Sequence, residues 1–237
     1  MKISLIIPMY NESKIIETTA KTLSEYMGKN FDDYEILFSD DGSKDGSASL
    51  VEAMGLPNVR VVGYKDNKGK GSAVRHAMLA ADGDIRIFTD ADLAYGTDVI
   101  ARAAELMCQS KDADVLIGSR NLGKDGYEGY TLTRKLMSKI YIKVLCFAGG
   151  FKLSDSQCGF KAFRADTAEQ IFSRCKIDGF AFDFEAIMWA TKLGKRIAEM
   201  PVKIINHRDS TVRPRSDAVA MLKDVRRIRK SVKENKD

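Results

Sequence analysis

The chain has 237 residues, of which 44% are hydrophobic and 30% charged, so it is long enough for one sizeable core and reads as a soluble globular protein. No run of about 18 apolar residues occurs, which excludes a membrane-spanning helix, and the apolar start MKISLIIPMYNES is cut by Pro8, Asn11 and Glu12 too early for a signal peptide. The net charge of +5 is uneven: from Lys203 onward there are 11 Lys and Arg against 5 Asp and Glu, so the first 202 residues sum to −1.

In chain order, KISLIIP is a short apolar strand, and Ile16, Ala20, Leu23 and Met27 then recur at helical spacing. YEILFSD is a second strand and SASLVEAMG a helix stopped at Gly55. NVRVVGY is a third strand, followed by the helix GSAVRHAMLAA. DIRIFT is a fourth strand with the helix DVIARAAELM after it, and ADVLIGS a fifth. Strands alternating with helices of this length predict an α/β fold, with a mostly parallel central sheet and helices on both faces. After Arg120 the rhythm changes. LTRKLMSKIYIKVLCFAGG is helical, SDSQCGFKAF a loop entering a short strand, FAFDFEAIMWATKLG a helix, RIAEMPVKIIN a strand and SDAVAMLKDVRRIRKSVKEN a final helix. With no internal repeat or low-complexity linker, residues 1–237 read as one domain. Four cysteines without a CxxC pair, and only two histidines, argue against zinc and for a reduced, cytoplasmic setting.

Ligands of such sheets bind outside the carboxyl ends of the strands. Each unusual polar cluster of the first half sits at such an end: YNE, DDGSKDG, DNKGKGS, DAD and SRN. Asp90 and Asp92 follow a buried strand, where two carboxylates suit a hard divalent cation, Mg²⁺ or Mn²⁺, that shares its oxygens with substrate phosphates. The alternative is a helix cap with a solvated charge. NKGKGSA opens a helix whose first N–H groups can take an anion. It is neither a Walker loop, since Gly71 stands where Ser or Thr should follow Lys70, nor a dinucleotide fingerprint, since Val74 replaces the third glycine. Asp40 and Asp41 can accept from a base N–H or a ribose hydroxyl, or simply build a turn.

Together, IIPMYNE, DDGSKDG, NKGKGSA and DAD in this order resemble the family 2 glycosyltransferases, which have a GT-A fold. The resemblance implies a nucleotide-sugar held by Pro8, Tyr10, Asn11, Glu12, Asp40, Asp41, Lys68, Lys70, Gly71, Asp90 and Ala91. It also implies a metal on Asp90 and Asp92, and a division into a nucleotide-sugar half (1–120) and an acceptor half (121–237). SRN, RKLMS, SQCGFKAF and FAFDFE are similar to the dolichyl-phosphate and polyprenyl-phosphate glucose and mannose synthases. On that likeness Arg120, Arg134, Ser138, Arg208 and Arg213 approach the phosphate of a lipid acceptor. Mannose synthases typically have a Gln two residues after the Asp-x-Asp, where this chain has Ala94. That departure favours UDP-glucose over a mannose donor and leaves Gln157 as a further candidate metal ligand. The membrane-spanning tail of bacterial relatives is not found in this sequence.

The implied chemistry is direct displacement at the sugar C1 with inversion, with Asp92, Arg120 and Asp183 as the catalytic set. A phosphate acceptor is already largely ionised at pH 7 and needs no general base. A hydroxyl acceptor on a glycan or protein would need one, from Asp155, Asp183 or Glu185. The stripe Met221, Val225, Ile228 and Val232, beside Lys223, Arg226, Arg227, Arg229 and Lys230, can lie on an anionic membrane or pack on the core. The apolar stretch IYIKVLCFAGGF can also meet lipid. A non-catalytic basic protein binding nucleic acid or lipid through its tail would leave the strand-end acids unexplained, so no nucleic-acid partner is expected.

Overall fold

A computed structural model describes residues 1–110, 112–206 and 214–235. Seven strands form one sheet in the order β3-β2-β1-β4-β6-β5-β7. They are β1 (Ile3–Met9), β2 (Tyr34–Asp40), β3 (Val59–Gly63), β4 (Ile85–Thr89), β5 (Val115–Ser119), β6 (Phe160–Arg164) and β7 (Ile197–Pro201). The helices are α1 (Ile16–Asn30), α2 (Ser47–Ala53), α3 (Lys70–Ala80), α4 (Asp98–Gln109), α5 (Leu132–Gly149), α6 (Ala165–Phe172), α7 (Phe182–Lys192) and α8 (Pro214–Glu234). β6 runs antiparallel to both β4 and β5, and the other pairings are parallel.

The period of two along each strand divides the core between the sheet's faces. In β1, Leu5 and Ile7 join the cluster containing Ile16, Leu23 and Ile100, whereas Ile6 joins the opposite cluster with Val74, Phe88 and Phe184. All seven residues of β1 are buried, as expected for a strand covered on both sides. The chain runs outward through β1, β2 and β3 and then returns to place β4 on the other side of β1. The crevice at the carboxyl ends of β1 and β4 is therefore a topological switch point, where ligands of open α/β sheets bind. Tyr10 to Glu12 follow β1 there, and Asp90 to Asp92 follow β4.

Two elements depart from the sequence reading. Helix α6 follows β6 without a break, and with no Gly or Pro between them nothing in the sequence marks the change; its buried Thr167, Ala168, Ile171 and Phe172 do carry helical spacing. The last strand ends at Pro201, which closes it at the sheet's edge. The chain beyond it turns to the Asp-x-Asp loop instead, where Ile205 and Asn206 donate backbone N–H groups to the Ala94 carbonyl (2.8 and 3.3 Å).

For the apolar helix faces, which the sequence left open between core and lipid, the structure separates the two helices. In α8, Val225, Ile228 and Val232 are buried in the core and Met221 packs against it, so this stripe is core and not a membrane face; Lys223, Arg226, Arg227, Arg229 and Lys230 form its exposed back. Helix α5 is the reverse case. It buries Ile142 and Leu145 but exposes Leu136, Met137, Ile140 and Val144, with Leu132 at 84% and Phe147 at 92% exposure. Lys139 and Lys143 are exposed along the same helix.

Candidate active site

The first two strand ends are clipped together. Asn11, at φ 54, donates its N–H to Ser43 Oγ and accepts from Lys44 N–H on its side-chain oxygen, both at 2.9 Å. Glu12 N–H donates to Ser47 Oγ at 2.8 Å, and Ser13 N–H to Asp45 at 2.9 Å. Slight burial raises the Asp45 carboxyl, but hydrogen bonds from Ser47 and Ser13 outweigh it and hold the group well below the usual carboxylate range. Tyr10 stays exposed at the mouth, while Pro8 is buried within β1 opposite Ser39 and so shapes the strand end instead of facing a ligand. Asp40 accepts from Ser43 N–H and lines a cleft of about 470 Å³ with Ser43, Gly63, Tyr64 and Lys65.

Asp41 and the NKGKGSA segment differ from expectation. Asp41 is buried, and its carboxylate accepts from Tyr64 Oη (2.6 Å), Asn67 Nδ2 (2.8 Å), Lys68 N–H (2.9 Å) and Gly69 N–H (2.9 Å). Those donors use its acceptor capacity, so Asp41 fastens the 64–69 loop and is not open to a nucleotide. Nor are the Gly71 and Ser72 amides of α3 open to an anion: both donate to the Asp178 carbonyl, at 2.7 and 3.2 Å. Gly71 is glycine for packing, because a Cβ there would stand 2.6 Å from both Ile177 O and Phe182 Cβ. What this segment does bring to the site is the Lys70 side chain; Lys68 Nζ lies over the Tyr64 ring at 4.6 Å.

Lys70 Nζ is 2.5 Å from Asp90 Oδ1. Burial opposes its charge, but Asp90, with Asp183 and Asp92 behind it, outweighs burial and holds the amine above the ordinary lysine value. The loop after β4 is tight: Leu93 N–H donates to the Asp90 carbonyl, Leu93 takes φ 49, and Ala94 N–H donates to Asp92 Oδ1. Ala91 has its side chain in the core and its carbonyl on Thr19 Oγ1, so it supports the loop and does not face a donor. Gln157 donates its amide nitrogen to the Ser156 carbonyl (3.4 Å), folding back on its own loop. Two carboxylates from a single loop suit a hard cation whose remaining ligands come from a diphosphate. Among the described residues no group of three or more His, Cys, Asp or Glu could hold a metal alone.

Behind Asp90 lies a buried pair that the sequence reading missed. Lys161 Nζ, fully buried in β6, is 2.5 Å from Asp183 Oδ1 and 2.6 Å from the Cys158 carbonyl. Burial raises the Asp183 carboxyl, Lys161 and Lys70 pull it back, and the net shift is upward. A lysine inside the apolar run Phe160 to Phe163 was the signal available for it. Glu185, in the first turn of α7, accepts Lys176 and Ile177 N–H groups instead, so it pins that loop and stands apart from the site.

Arg120, just after β5, grips buried Asp155 in a two-point fork, Nε to Oδ2 at 2.6 Å and Nη2 to Oδ1 at 2.9 Å. Burial works against its charge, but Asp155 reverses this and holds the guanidinium well above its usual value. Glu199 in β7 fixes the loop carrying Asp155, accepting Ser154 N–H (2.9 Å), Ser154 Oγ (2.7 Å) and Asp155 N–H (3.2 Å). The Tyr127 ring lies 5.2 Å from the guanidinium carbon, and its hydroxyl is 3.4 Å from Ser138 Oγ on α5. Ser138 is thus brought towards Arg120, and Arg134 lies one turn earlier on the same helix. Arg208 and Arg213 lie outside the described residues. Tyr95, also unforeseen, is buried among Cys158, Arg120 and Asp90, and so joins the two clusters.

Residues 4–172 match the family described as Glycosyl transferase family 2. The chain belongs to that family. It is 34% identical over 96% of its length to a dolichyl-phosphate beta-glucosyltransferase of Dictyostelium discoideum, covering 73% of that protein. It is 32% identical over 86% of its length to the Drosophila melanogaster protein of the same name, covering 67% of it, and 30% identical to one from Trichomonas vaginalis, covering 65% of that. Its fold is the GT-A fold. It superposes on glucosyl-3-phosphoglycerate synthase from Mycobacterium tuberculosis, solved with Mn²⁺, UDP-glucose and phosphoglyceric acid, with a TM-score of 0.73 and 20% identity, covering 100% of this chain and 81% of that one. Among the described residues no helix is long and apolar enough to cross a membrane.

The Lys161–Asp183 pair yields a stability prediction. Replacing Lys161 with Met leaves a buried carboxylate unpaired, and urea unfolding at neutral pH should show a loss of about 3–5 kcal/mol. A carboxyl whose folded pKa is raised stabilises the fold below its unfolded pKa and loses that contribution as pH rises through the folded value. Without Lys161 the shift is larger, so the deficit of the variant should shrink as the pH is lowered towards the range where Asp183 is protonated. A deficit independent of pH would mean the two groups are not coupled.

Proposed function

We propose that the protein is an inverting glycosyltransferase that moves a hexose, with UDP-glucose the favoured donor, to the phosphate of a polyprenyl or dolichyl acceptor. The observation that carries the acceptor is the fate of the three carboxylates available as a general base. Asp155 is held by Arg120, Asp183 by Lys161, and Glu185 by two backbone N–H groups. A hydroxyl acceptor needs such a base, whereas a phosphate monoester is already ionised. The names of the relatives support the same acceptor and a glucosyl donor. Asp183, with its raised carboxyl, is the residue on which a hydroxyl-acceptor enzyme would depend.

In this reading Asp40 and the cleft beside it take the nucleotide. Asp90 and Asp92 would hold Mg²⁺ or Mn²⁺, which neutralises charge on the diphosphate when bound. Lys70 and Lys68 meet the charge that develops on the leaving diphosphate. Arg120, kept in register by Asp155 and Tyr127, and Arg134 present guanidinium groups to the acceptor phosphate. A phosphate oxygen then attacks C1 from the face opposite the departing diphosphate. The exposed apolar face of α5, bordered by Lys139 and Lys143, supplies the peripheral contact with the cytoplasmic face of the membrane that a lipid acceptor requires.

Three measurements test this reading. Asp92→Asn should abolish Mn²⁺-dependent UDP-glucose binding in calorimetry while leaving the thermal transition in place. Unchanged affinity would make the acidic pair a loop cap. Arg134→Ala should lower transfer to polyprenyl phosphate by about 2–4 kcal/mol in apparent barrier while hydrolysis of the donor by water changes little. If both activities fall together the residue serves donor or fold, and if neither falls the acceptor is not a lipid phosphate bound there. Replacing Leu136 and Phe147 with Gln should weaken co-sedimentation with anionic vesicles by about tenfold or more, since each side chain contributes on the order of 1.5–3 kcal/mol when fully buried. Equal sedimentation of variant and wild type would remove α5 as the contact.

A further inference from the structure

Lys70 and Asp90 make the closest contact between charged groups at the donor site, and the two partners differ in the length of their stems. The Asp90 carboxylate, on a one-carbon stem, packs on one side against Gly159, where an added Cβ would stand 2.3 Å from Oδ2 and 3.0 Å from Cγ, and is about 30% exposed on the other. Lys70 has a four-carbon stem, about a quarter of its side chain is exposed, and it lies at the first turn of α3. Its ammonium rests on Asp90 Oδ1 at 2.5 Å. That oxygen belongs to one of the two carboxylates suited to a divalent cation. An ammonium and a divalent cation on one oxygen would be like charges in contact, so the two compete for it.

We propose that Lys70 is an exchangeable counter-ion of the acidic pair. It holds Asp90 in the metal-free protein and leaves that oxygen when the divalent cation binds, passing to the diphosphate of the donor. The inference rests on the donor reading above and adds an order to it: the bare cation binds poorly, and cation and nucleotide bind well together, because the diphosphate gives the displaced ammonium a new partner. Asp183 and Asp92 also act on this ammonium, so it moves within a field of negative charge throughout. If the paired state holds about nine-tenths of the molecules, the apparent affinity for the bare cation is reduced about tenfold.

The experiment measures Mn²⁺ binding to the full chain, by the electron paramagnetic resonance signal of free Mn²⁺, for wild type, Lys70→Met, Lys70→Gln and Lys70→Arg, without and with UDP. Circular dichroism checks that each variant folds. With Mn²⁺ alone, the Met and Gln variants should bind about tenfold more tightly than wild type, and the Arg variant within about twofold of it. In the presence of Mn²⁺, UDP should bind more weakly to the Met and Gln variants. The two effects have opposite signs, which a general loosening of the site would not produce. The gain in Mn²⁺ affinity should persist from about 0.05 M to about 0.5 M NaCl, because a contact pair is screened far less than distant charges. Folded Met and Gln variants with unchanged or weaker Mn²⁺ affinity would overturn the exchange, as would a gain that vanishes in salt or undiminished UDP binding. If wild type failed to bind Mn²⁺ even with UDP present, the metal site itself would be wrong, a result distinct from failure of the exchange.

Discussion

Lys161 carries an ammonium into the sheet with no exposed surface, and the Asp183 carboxylate and Cys158 carbonyl keep it there. A lone charge at such a depth is costly, so these contacts are obligatory rather than ornamental. They have a geometric consequence. Holding Asp183 ties the start of α7 to β6, and holding the Cys158 carbonyl sets the turn into β6. The next residue, Gly159, forms the wall behind Asp90. The placement of the acidic loop after β4 thus depends on a cation in the neighbouring antiparallel strand.

A second set of contacts does the same for the acceptor half. Glu199 lies in β7, next to β5, and holds the loop bearing Asp155 through backbone and hydroxyl donors. Asp155 in turn fixes the fork of Arg120 at the end of β5. Both halves therefore use a buried carboxylate as a mount for a group that faces the crevice. The charged residues that such a site leaves accessible, Lys70, Asp90 and Asp92, come from loops and helix starts, while Lys161 and Glu199, which anchor the groups behind the crevice, come from strands.

This division explains what could be read from the sequence. The alternation of strands and helices up to β5 was legible because each apolar run is short, buried and followed by polar turn residues. The strand-end acids stood out because two carboxylates after a buried strand are unusual. What stayed hidden was the direction in which polar groups turn. Asp41 and Asp40 are adjacent and alike in sequence, yet Asp41 faces inward to four protein donors and Asp40 faces the cleft. The amides of α3 read as an anion site until Asp178, more than a hundred residues later, proved to occupy those of Gly71 and Ser72. Helix α6 was missed for want of a breaker after β6, and the apolar stripe of α8 is ambiguous in one dimension because core and membrane demand the same spacing.

Helix α5 shows how position resolves that ambiguity. Its inner side meets the protein through Ile142 and Leu145, while Leu132, Leu136 and Phe147 lie outward. Ser138 of the same helix reaches Tyr127, which carries the Arg120 guanidinium. On the proposed reading this joins two requirements in one element. A polyprenyl phosphate has a chain that stays in lipid and a charged head that must leave it. A helix lying at the interface with its apolar face outward meets the chain's environment, and the residues on its inner edge lie beside the arginine that would take the head. The acceptor then need not be drawn wholly out of the membrane. Only its phosphate has to cross from the lipid surface to the Arg120 guanidinium, whose Nε and Nη2 are fixed by Asp155 and whose remaining N–H groups would replace part of the water that the phosphate gives up.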